Sequence, residues 1–320
     1  MRLPAVDRIF SQKSLLTAAA LLLATCFAHA DSWRFAVIGD TPYSSSERKA
    51  LPKMLETIAD SGAEFVVHIG DIKSGRSACS DALYQDRLQL FDSSRSPFVY
   101  VPGDNEWSDC DRLAAGNHDP LERLARLRSL FWRTGQSLGQ RKIPLEQQPG
   151  AYAEHARFRR GPLLFVTLNV PGSDNNWGLT RTPSAEFNAR NPVVLQWLKD
   201  AFEYARQEKL RGVVVFMQAD PDFHFFAQGM QNAAFRDLLE TLRSETQGFP
   251  GEVLLVHGDT HFYRVDQPLR TQRGEPIANF TRLESYGYPL MGWVEVLVDS
   301  ENEKTFRFIE HPWTQSGLFR

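Results

Sequence analysis

Residues 33–40 read WRFAVIGD, a run of apolar and β-branched side chains that stops at glycine and aspartate. The same phrase returns at 64–71 as EFVVHIGD, at 97–104 as PFVYVPGD and at 252–259 as EVLLVHGD. Each run is short, nearly continuous in apolar residues and closed by a turn signal. That is how a strand reads when both faces of its sheet are covered. Helical periodicity lies between the runs, at 47–61, 77–92, 120–132, 192–207 and 229–245. Two more strands are read at 162–169 and 212–217, and several strand-like segments at 262–312. The stretches 133–150 and 171–190 are polar or rich in Gly, Pro and Asn, and read as surface loops. Strands that alternate with helices predict an α/β fold. No repeat, low-complexity tract or linker divides the chain, so one domain is expected over residues 31–320.

In α/β sheets, sites lie beyond the carboxyl ends of the strands. Asp40, Asp71, Asp104 and Asp259 are therefore expected to project into one region, with the preceding glycines letting the backbone turn sharply. A single Gly-Asp after a strand says little, because aspartate is common in turns. Four such endings say more. Carboxylates gathered in one place repel unless cations lie between them, so metal binding is the natural resolution.

The order Gly-Asp, Gly-Asp, Gly-(Asn/Asp), a strand with a polar end, then Gly-x-x-His resembles the calcineurin-like metallophosphoesterases. The resemblance runs from about Trp33 to Tyr263. It implies an α/β sandwich of two mixed β-sheets flanked by helices. It also implies a dinuclear site at which a metal-bound hydroxide attacks the phosphorus of a small phosphoester substrate. The motifs match in part. Asp-x-His stands as Asp40-Thr41-Pro42, without its histidine. Gly-Asp is intact at Gly70-Asp71, and by the resemblance Asp71 would bridge both metals. Gly-Asn-His-(Asp/Glu) stands as Gly103-Asp104-Asn105-Glu106, so an aspartate replaces the usual asparagine and Asn105 replaces the histidine often assigned to protonate the leaving group. The strand-end histidine stands as Gln218, and Gly-His-x-His as Gly258-Asp259-Thr260-His261.

Carried over residue by residue, Asp40, Asp71 and His261 would hold one metal, and Asp71, Asp104, Gln218 and Asp259 the other. Asn105 and Glu106 are the candidates at the catalytic position. Oxygen ligands in place of imidazoles favour Mn²⁺ or Mg²⁺, with Fe, Ca²⁺ and Zn²⁺ as alternatives. Four aspartates nearly cancel two divalent charges, so Lys73, Arg76, Arg181 and Arg264 are weighed as partners for an anionic phosphate, each against plain surface charge. The missing histidine keeps a second reading open: a catalytically weak or inactive relative that binds a metal or a phosphorylated ligand. Gly116-Asn117-His118-Asp119 spells the third motif literally, but it precedes a helix that opens at Pro120, where Asp119 reads as a cap. His68 reads as packing, Trp107 and Trp177 as walls for a substrate or, more commonly, as packing, and Asn169, Asn175 and Asn176 as facing the site or equally well as turn formers. Tyr43 is a candidate for the space of the missing first-motif histidine, His257 for replacing Asp259 as a ligand, and His224 for reaching the site from its loop.

The chain begins with Arg2, Arg8 and Lys13 against Asp7, then an apolar run from Leu15 to Ala28, then Ala28-His29-Ala30. That is the layout of a secretory signal peptide at 1–30, too short for a comfortable membrane span. Export to the periplasm or the extracellular space follows, with no stable membrane span after cleavage. Removing the leader makes the remainder two units more negative than the formal −3 of the whole chain, which gives no reason to expect nucleic-acid binding. Cys79 and Cys110 then remain, an even pair in an oxidising compartment, and are expected to form a disulfide. The chain has no phosphate-binding G-x-x-x-x-G-K-[ST], no H-E-x-x-H and no C-x-x-C. Oligomeric state is not legible.

Overall fold

The computed structural model describes residues 32–313, apart from 231, 300, 301 and 303. The leader read at 1–30 and Asp31 lie outside the described residues. In chain order the strands are β1 (Trp33–Ile38), β2 (Val66–His68), β3 (Phe98–Tyr100), β4 (Glu146–Gln147), β5 (Ala156–Arg160), β6 (Leu163–Thr167), β7 (Gly212–Phe216), β8 (Glu252–His257), β9 (Arg264–Asp266), β10 (Phe280–Glu284), β11 (Gly292–Val298) and β12 (Phe306–Pro312). The helical segments are α1 (Ser45–Asp60), α2 (Asp81–Asp92), α3 (Pro120–Phe131), α4 (Gly172–Asn175), α5 (Ala185–Gln207), α6 (Phe223–Ala227) and α7 (Ala233–Gln247).

Two mixed sheets form, in the orders β12-β11-β1-β2-β3 and β4-β5-β6-β7-β8-β10-β9. β1, β2 and β3 are parallel neighbours, and so are β6, β7, β8 and β10. The period of two along each strand sorts side chains into three apolar layers. Phe35 and Val37 face Phe165, Val214, Phe216 and Leu254 between the sheets. Ala36 and Ile38 point the other way, onto Leu51, Met54 and Ile58 of α1. Val213 and Val215 point away from the first sheet, onto Trp197 and Leu198 of α5 and Leu238 and Leu239 of α7. Both faces of each sheet are covered, which is why the deciding strands read as continuous apolar runs rather than as alternation.

Besides the short β4 and α4, which fall in stretches read as loops, two longer segments depart from the sequence reading. β5 falls where no strand is expected, because Arg157, Arg159 and Arg160 mask its pattern. Ala156 and Phe158 turn inward, while the Arg157 guanidinium lies 4.9 Å from the ring centres of both Trp197 and Tyr204. Helix α5 begins at Ala185 rather than at Pro192, inside the stretch read as a loop. Ser184 caps it by accepting from the Phe187 amide, and buried Phe187 and Arg190 anchor the turns ahead of the proline.

The Cys79–Cys110 disulfide is present, with Cα atoms 5.8 Å apart. It ties the loop after β2 to the loop after β3. His68, fully buried at the end of β2, adds a second tie. Its Nδ1 accepts from the Gly70 amide and its Nε2 then donates to the Thr41 carbonyl at 2.7 Å, while burial pushes the imidazole down to about 4 and so keeps it neutral.

Phe35 tests whether the interlayer is close-packed. It is fully buried, stacked on Phe65 at 5.0 Å between ring centres and edge-on to Phe165 and Phe216. Phe35→Ala should cost about 3–5 kcal/mol in urea unfolding. A loss below about 1 kcal/mol would show that the layer collapses around the gap.

Candidate metal centre

Asp40, Asp71, Asp104 and Asp259 follow the carboxyl ends of β1, β2, β3 and β8, and Gln218 follows β7. The glycines ahead of the aspartates are required for a reason other than the expected sharp turn. Of the four, Gly70 alone has a left-handed φ, at 101°. The aspartates carry that conformation instead, with φ 49° at Asp40, 60° at Asp71 and 80° at Asp259. The glycines make room. A Cβ on Gly103 would strike Asp71, one on Gly258 would strike Asp40, and one on Gly70 would lie 2.6 Å from Gln218 Cγ. Gly70, Gly103 and Gly258 are thus clearance for a candidate site side chain from another strand end, while Gly39 makes room for the core residue Ile69. Left-handed, non-glycine residues gathered in one place mark stored backbone strain, which is found where surrounding structure fixes a site.

The carboxylates meet across the two sheets. The Asp259 amide donates to both Asp40 oxygens, at 3.3 and 3.2 Å. A Cβ on Gly172 would lie 2.6 Å from Asp259 Oδ1 and 3.1 Å from Asp104 Oδ1, so those two carboxylates border one small space. Asp71 Oδ2 accepts from the Tyr43 hydroxyl at 2.6 Å and from the Asn105 side-chain amide, and Oδ1 accepts from the Asn105 backbone at 3.1 Å. Gln218 Nε2 donates to Asp259 Oδ1 at 3.2 Å, and its Oε1 accepts from the Gly172 amide. His261 donates Nδ1–H to the Tyr288 carbonyl at 2.6 Å, which leaves Nε2 facing Asp40 Oδ1 at 3.5 Å. All six residues expected as metal ligands are thus brought to one place.

Electrostatics there is short of positive charge. Burial raises the Asp71 carboxyl well above its usual range, and Asp104, Glu106 and Asp40 push the same way. Burial raises Asp40 despite the bond from His261. Asp259 is pushed up to about 7 by burial and then by Asp104 and Asp40. Lys73 is buried, bonds the Ser74 carbonyl at 3.0 Å and faces Glu106, Asp71, Asp109 and Asp104 as their internal counter-charge. Asp104 Oδ1 is buried with no hydrogen-bond partner. Carboxylates, an amide oxygen and one imidazole suit a hard divalent ion, and an orphaned oxygen with a charge deficit suits a cation. Among the described residues no three His, Cys, Asp or Glu side chains form a group ready to hold a metal ion. Most of the carboxylate oxygens are turned onto protein donors, so the fit is one of donor chemistry and position rather than of finished coordination.

Glu106, a candidate for the catalytic position, is fully buried below the others. Oε1 accepts from the amides of Gly103 at 2.6 Å and Asp71 at 3.1 Å and from the Tyr100 hydroxyl at 2.8 Å, while Oε2 accepts from the Ile72 amide at 3.3 Å. It ties the β2 and β3 loops together. Tyr43, weighed for the space of the missing first-motif histidine, has its hydroxyl between Asp71 and Asn105. Sequence reasoning missed Asp109, Arg112 and Ser173, which gather beside Asp104. The sole signal for them is closeness to a motif in Asp109 and Arg112; nothing in the chain points to Ser173. Arg76 and Arg181 are exposed, Arg264 pairs with Glu284 at 2.9 Å, and exposed His224 contacts Gln228. His257 is buried with Nε2 unpartnered. Asp119 caps α3, and Trp107 is fully buried beneath the Arg190 guanidinium.

The calcineurin-like phosphoesterase family profile matches residues 34–263. The chain belongs to that family. Membership places it among metal-dependent phosphoester hydrolases. A dimetal phosphatase from Danio rerio shares the fold with a TM-score of 0.51 and 14% identity, over 88% of this chain and 99% of that one. Purple acid phosphatase PPD1 from yellow lupin (Lupinus luteus) seeds aligns with a TM-score of 0.50 and 10% identity, over 88% of this chain and 54% of that one. At such identities the likeness is one of fold. No curated protein sequence matches the chain.

Glu106→Ala should lower unfolding stability by about 3–5 kcal/mol, because it strands buried donors and Lys73. Glu106→Gln should cost less, since an amide oxygen still accepts. An unchanged urea midpoint in both variants would contradict the tying role.

Proposed function

We propose that the protein is an exported phosphoester hydrolase that works with two divalent metal ions at the aspartate-rich centre. The observation that carries this reading is the meeting of four strand-end aspartates from two sheets, partly desolvated and short of positive charge. Asp40, Asp71 and His261 would hold one ion, and Asp71, Asp104, Gln218 and Asp259 the other, with Mn²⁺ or Mg²⁺ the best match to so many oxygens. When bound, the ions supply an activated water and polarise the phosphoryl oxygens.

The chain's own residues set the remaining chemistry. Tyr43 keeps its proton, because burial and then the Asp71 and Asp40 charges raise the phenol, so it stays a donor that orients Asp71. Asn105 orients the same carboxylate from the other side. A carboxamide gives up no proton at neutral pH, so Asn105 aligns groups rather than acting as the acid. Glu106 acts as a positioning residue from below. With none of these three supplying it, the leaving group would take its proton from water or depart as an anion, which favours esters of acidic alcohols or phenols. Export rests on the leader at 1–30 together with the disulfide. Among the described residues no helix is long and apolar enough to cross a membrane.

A second reading, binding of a metal or phosphorylated ligand without turnover, is favoured by one feature: most of the carboxylate oxygens are already satisfied by protein donors. One experiment separates the two. The protein is purified without chelator beside Asp71→Asn, and metal content and p-nitrophenyl phosphate turnover with Mn²⁺ or Mg²⁺ are measured. Hydrolysis predicts about two ions per chain and at least a ~100-fold loss of turnover in the variant and on chelation. Metal without turnover supports the binding reading, and neither metal nor turnover removes the hydrolase and the metal-binding readings together.

A further inference from the structure

The side chain of Arg112 is about half exposed, at 52%. Its guanidinium is nevertheless held in place. Nη1 lies 2.6 Å from Asp109 Oδ2, and Nη2 donates to Ser173 Oγ at 3.1 Å. Ser173 Oγ stands 2.6 Å from Asp104 Oδ2 and 3.0 Å from Asp109 Oδ2, so the hydroxyl links the guanidinium directly to the metal centre. On the far side, a Cβ placed on Gly75 would be 2.8 Å from Asn105 Oδ1 and 3.6 Å from Arg112 Nη1. The guanidinium and the Asn105 amide therefore flank one gap, and Asn105 rests on Asp71.

Ser173 is kept there at a cost. Ser173, Asp174, Asn175 and Asn176 take φ of 49°, 52°, 54° and 54°, a complete left-handed turn of non-glycine residues. Such a conformation is unfavourable by roughly 1–2 kcal/mol per residue and is seldom sustained over consecutive positions. Fully buried Arg190 enforces it. Arg190 donates to the Asn175 side-chain oxygen at 2.7 Å, the Asn175 carbonyl at 2.9 Å and the Asn169 carbonyl at 2.8 Å. Asn232 holds Asp174 at 2.8 Å, and Asn176 holds Glu186 at 2.8 Å. The disulfide at Cys110 fixes the other side, two residues before Arg112.

A phosphate anion that approaches Asp40, Asp71, Asp104, Asp109 and Asp259 meets like charge. Lys73 is buried and spent on the interior carboxylates, and Arg264 is paired elsewhere. Arg112 is also paired, with Asp109, but its guanidinium is half exposed and stands one hydroxyl away from Asp104. A guanidinium presents its N–H donors as a planar fork that matches two oxygens of one phosphoryl group.

We infer that Arg112, steadied by Ser173 and Asp109, is the anion subsite of this centre and takes the non-bridging oxygens of the substrate's phosphoryl group. The assignment rests on the phosphoester reading above. Arg112 turns from Asp109 to the phosphoryl oxygens when substrate arrives, and Ser173 keeps it at the rim meanwhile.

The test uses the full chain loaded with Mn²⁺, as wild type, Arg112→Ala, Arg112→Lys and the surface control Arg95→Ala, whose residue pairs with exposed Asp60. Metal content, calorimetric affinity for inorganic phosphate, and kcat and KM for p-nitrophenyl phosphate are measured for each. Arg112→Ala should keep the wild-type metal content while phosphate affinity falls and KM rises about tenfold or more. Arg112→Lys should recover part of the loss, because an ammonium keeps the charge without the fork. Arg95→Ala should match wild type. Phosphate affinity within about twofold of wild type in Arg112→Ala overturns the assignment. So does a parallel loss of metal, which would make Arg112 a support for Asp109 and Asp104. A wild type that binds phosphate through Arg112 but never turns over keeps the subsite and removes the hydrolase reading. A wild type that binds no phosphate removes the subsite.

Discussion

Carboxylates taken out of water together must be protonated, bonded to donors or countered by cations. That constraint organises the carboxyl-end face of both sheets. Asp40, Asp71, Asp104 and Asp259 reach the same place because their strands are parallel neighbours within each sheet and the two sheets face each other. The donors supplied so far are the amides of Asp259 and Asp220, the Asn105 amide groups, the Tyr43 hydroxyl, Ser173 and Gln218. They leave Asp104 Oδ1 unpartnered and the carboxyl groups of Asp71 and Asp259 raised. A residual demand for positive charge is the property that a divalent ion answers.

The architecture around the aspartates serves to hold them despite repulsion. Glu106 gathers amides from the ends of β2 and β3, His68 clips the Thr41 carbonyl to the turn at Gly70, and the disulfide joins the next segments of the same two loops. Such ties matter because the left-handed aspartates would relax if the loops were free. Stability and site geometry are therefore coupled here, and a change at Glu106 acts on both.

The strands and the carboxylates were legible because each is written locally. A run such as 33–40 states its own burial, its end and its functional side chain within eight residues. The two-sheet arrangement was expected through the family resemblance that the order of motifs carries, not from the strands themselves. What stayed hidden depends on partners distant in sequence. Arginines on β5 look like surface until Trp197 and Tyr204 come to lie against Arg157. Pro192 marks a helix start until a cap at Ser184 and the burial of Arg190 extend the helix ahead of it. The motif glycines were legible as positions but not in purpose, since the side chains they clear belong to other strands. Ser173 was unreadable for the same reason: its left-handed turn is imposed by Arg190 and Asn232, from elements further along the chain.

The replacement of histidines by oxygen donors and the presence of Arg112 belong to one physical problem. Imidazole ligands are neutral, so a centre built from them leaves two divalent ions with charge to spare for an anionic substrate. Carboxylates in their place use up that charge, and attraction for phosphate then has to come from the rim. A lysine among them does not restore it, because Lys73 is buried and its charge is answered by Glu106, Asp71, Asp109 and Asp104. A cation that is partly exposed and tethered beside Asp104 does, and a guanidinium does so with direction as well as charge. The strained turn at Ser173 then becomes intelligible as the cost of holding that cation one hydroxyl away from the carboxylates without letting it collapse onto them.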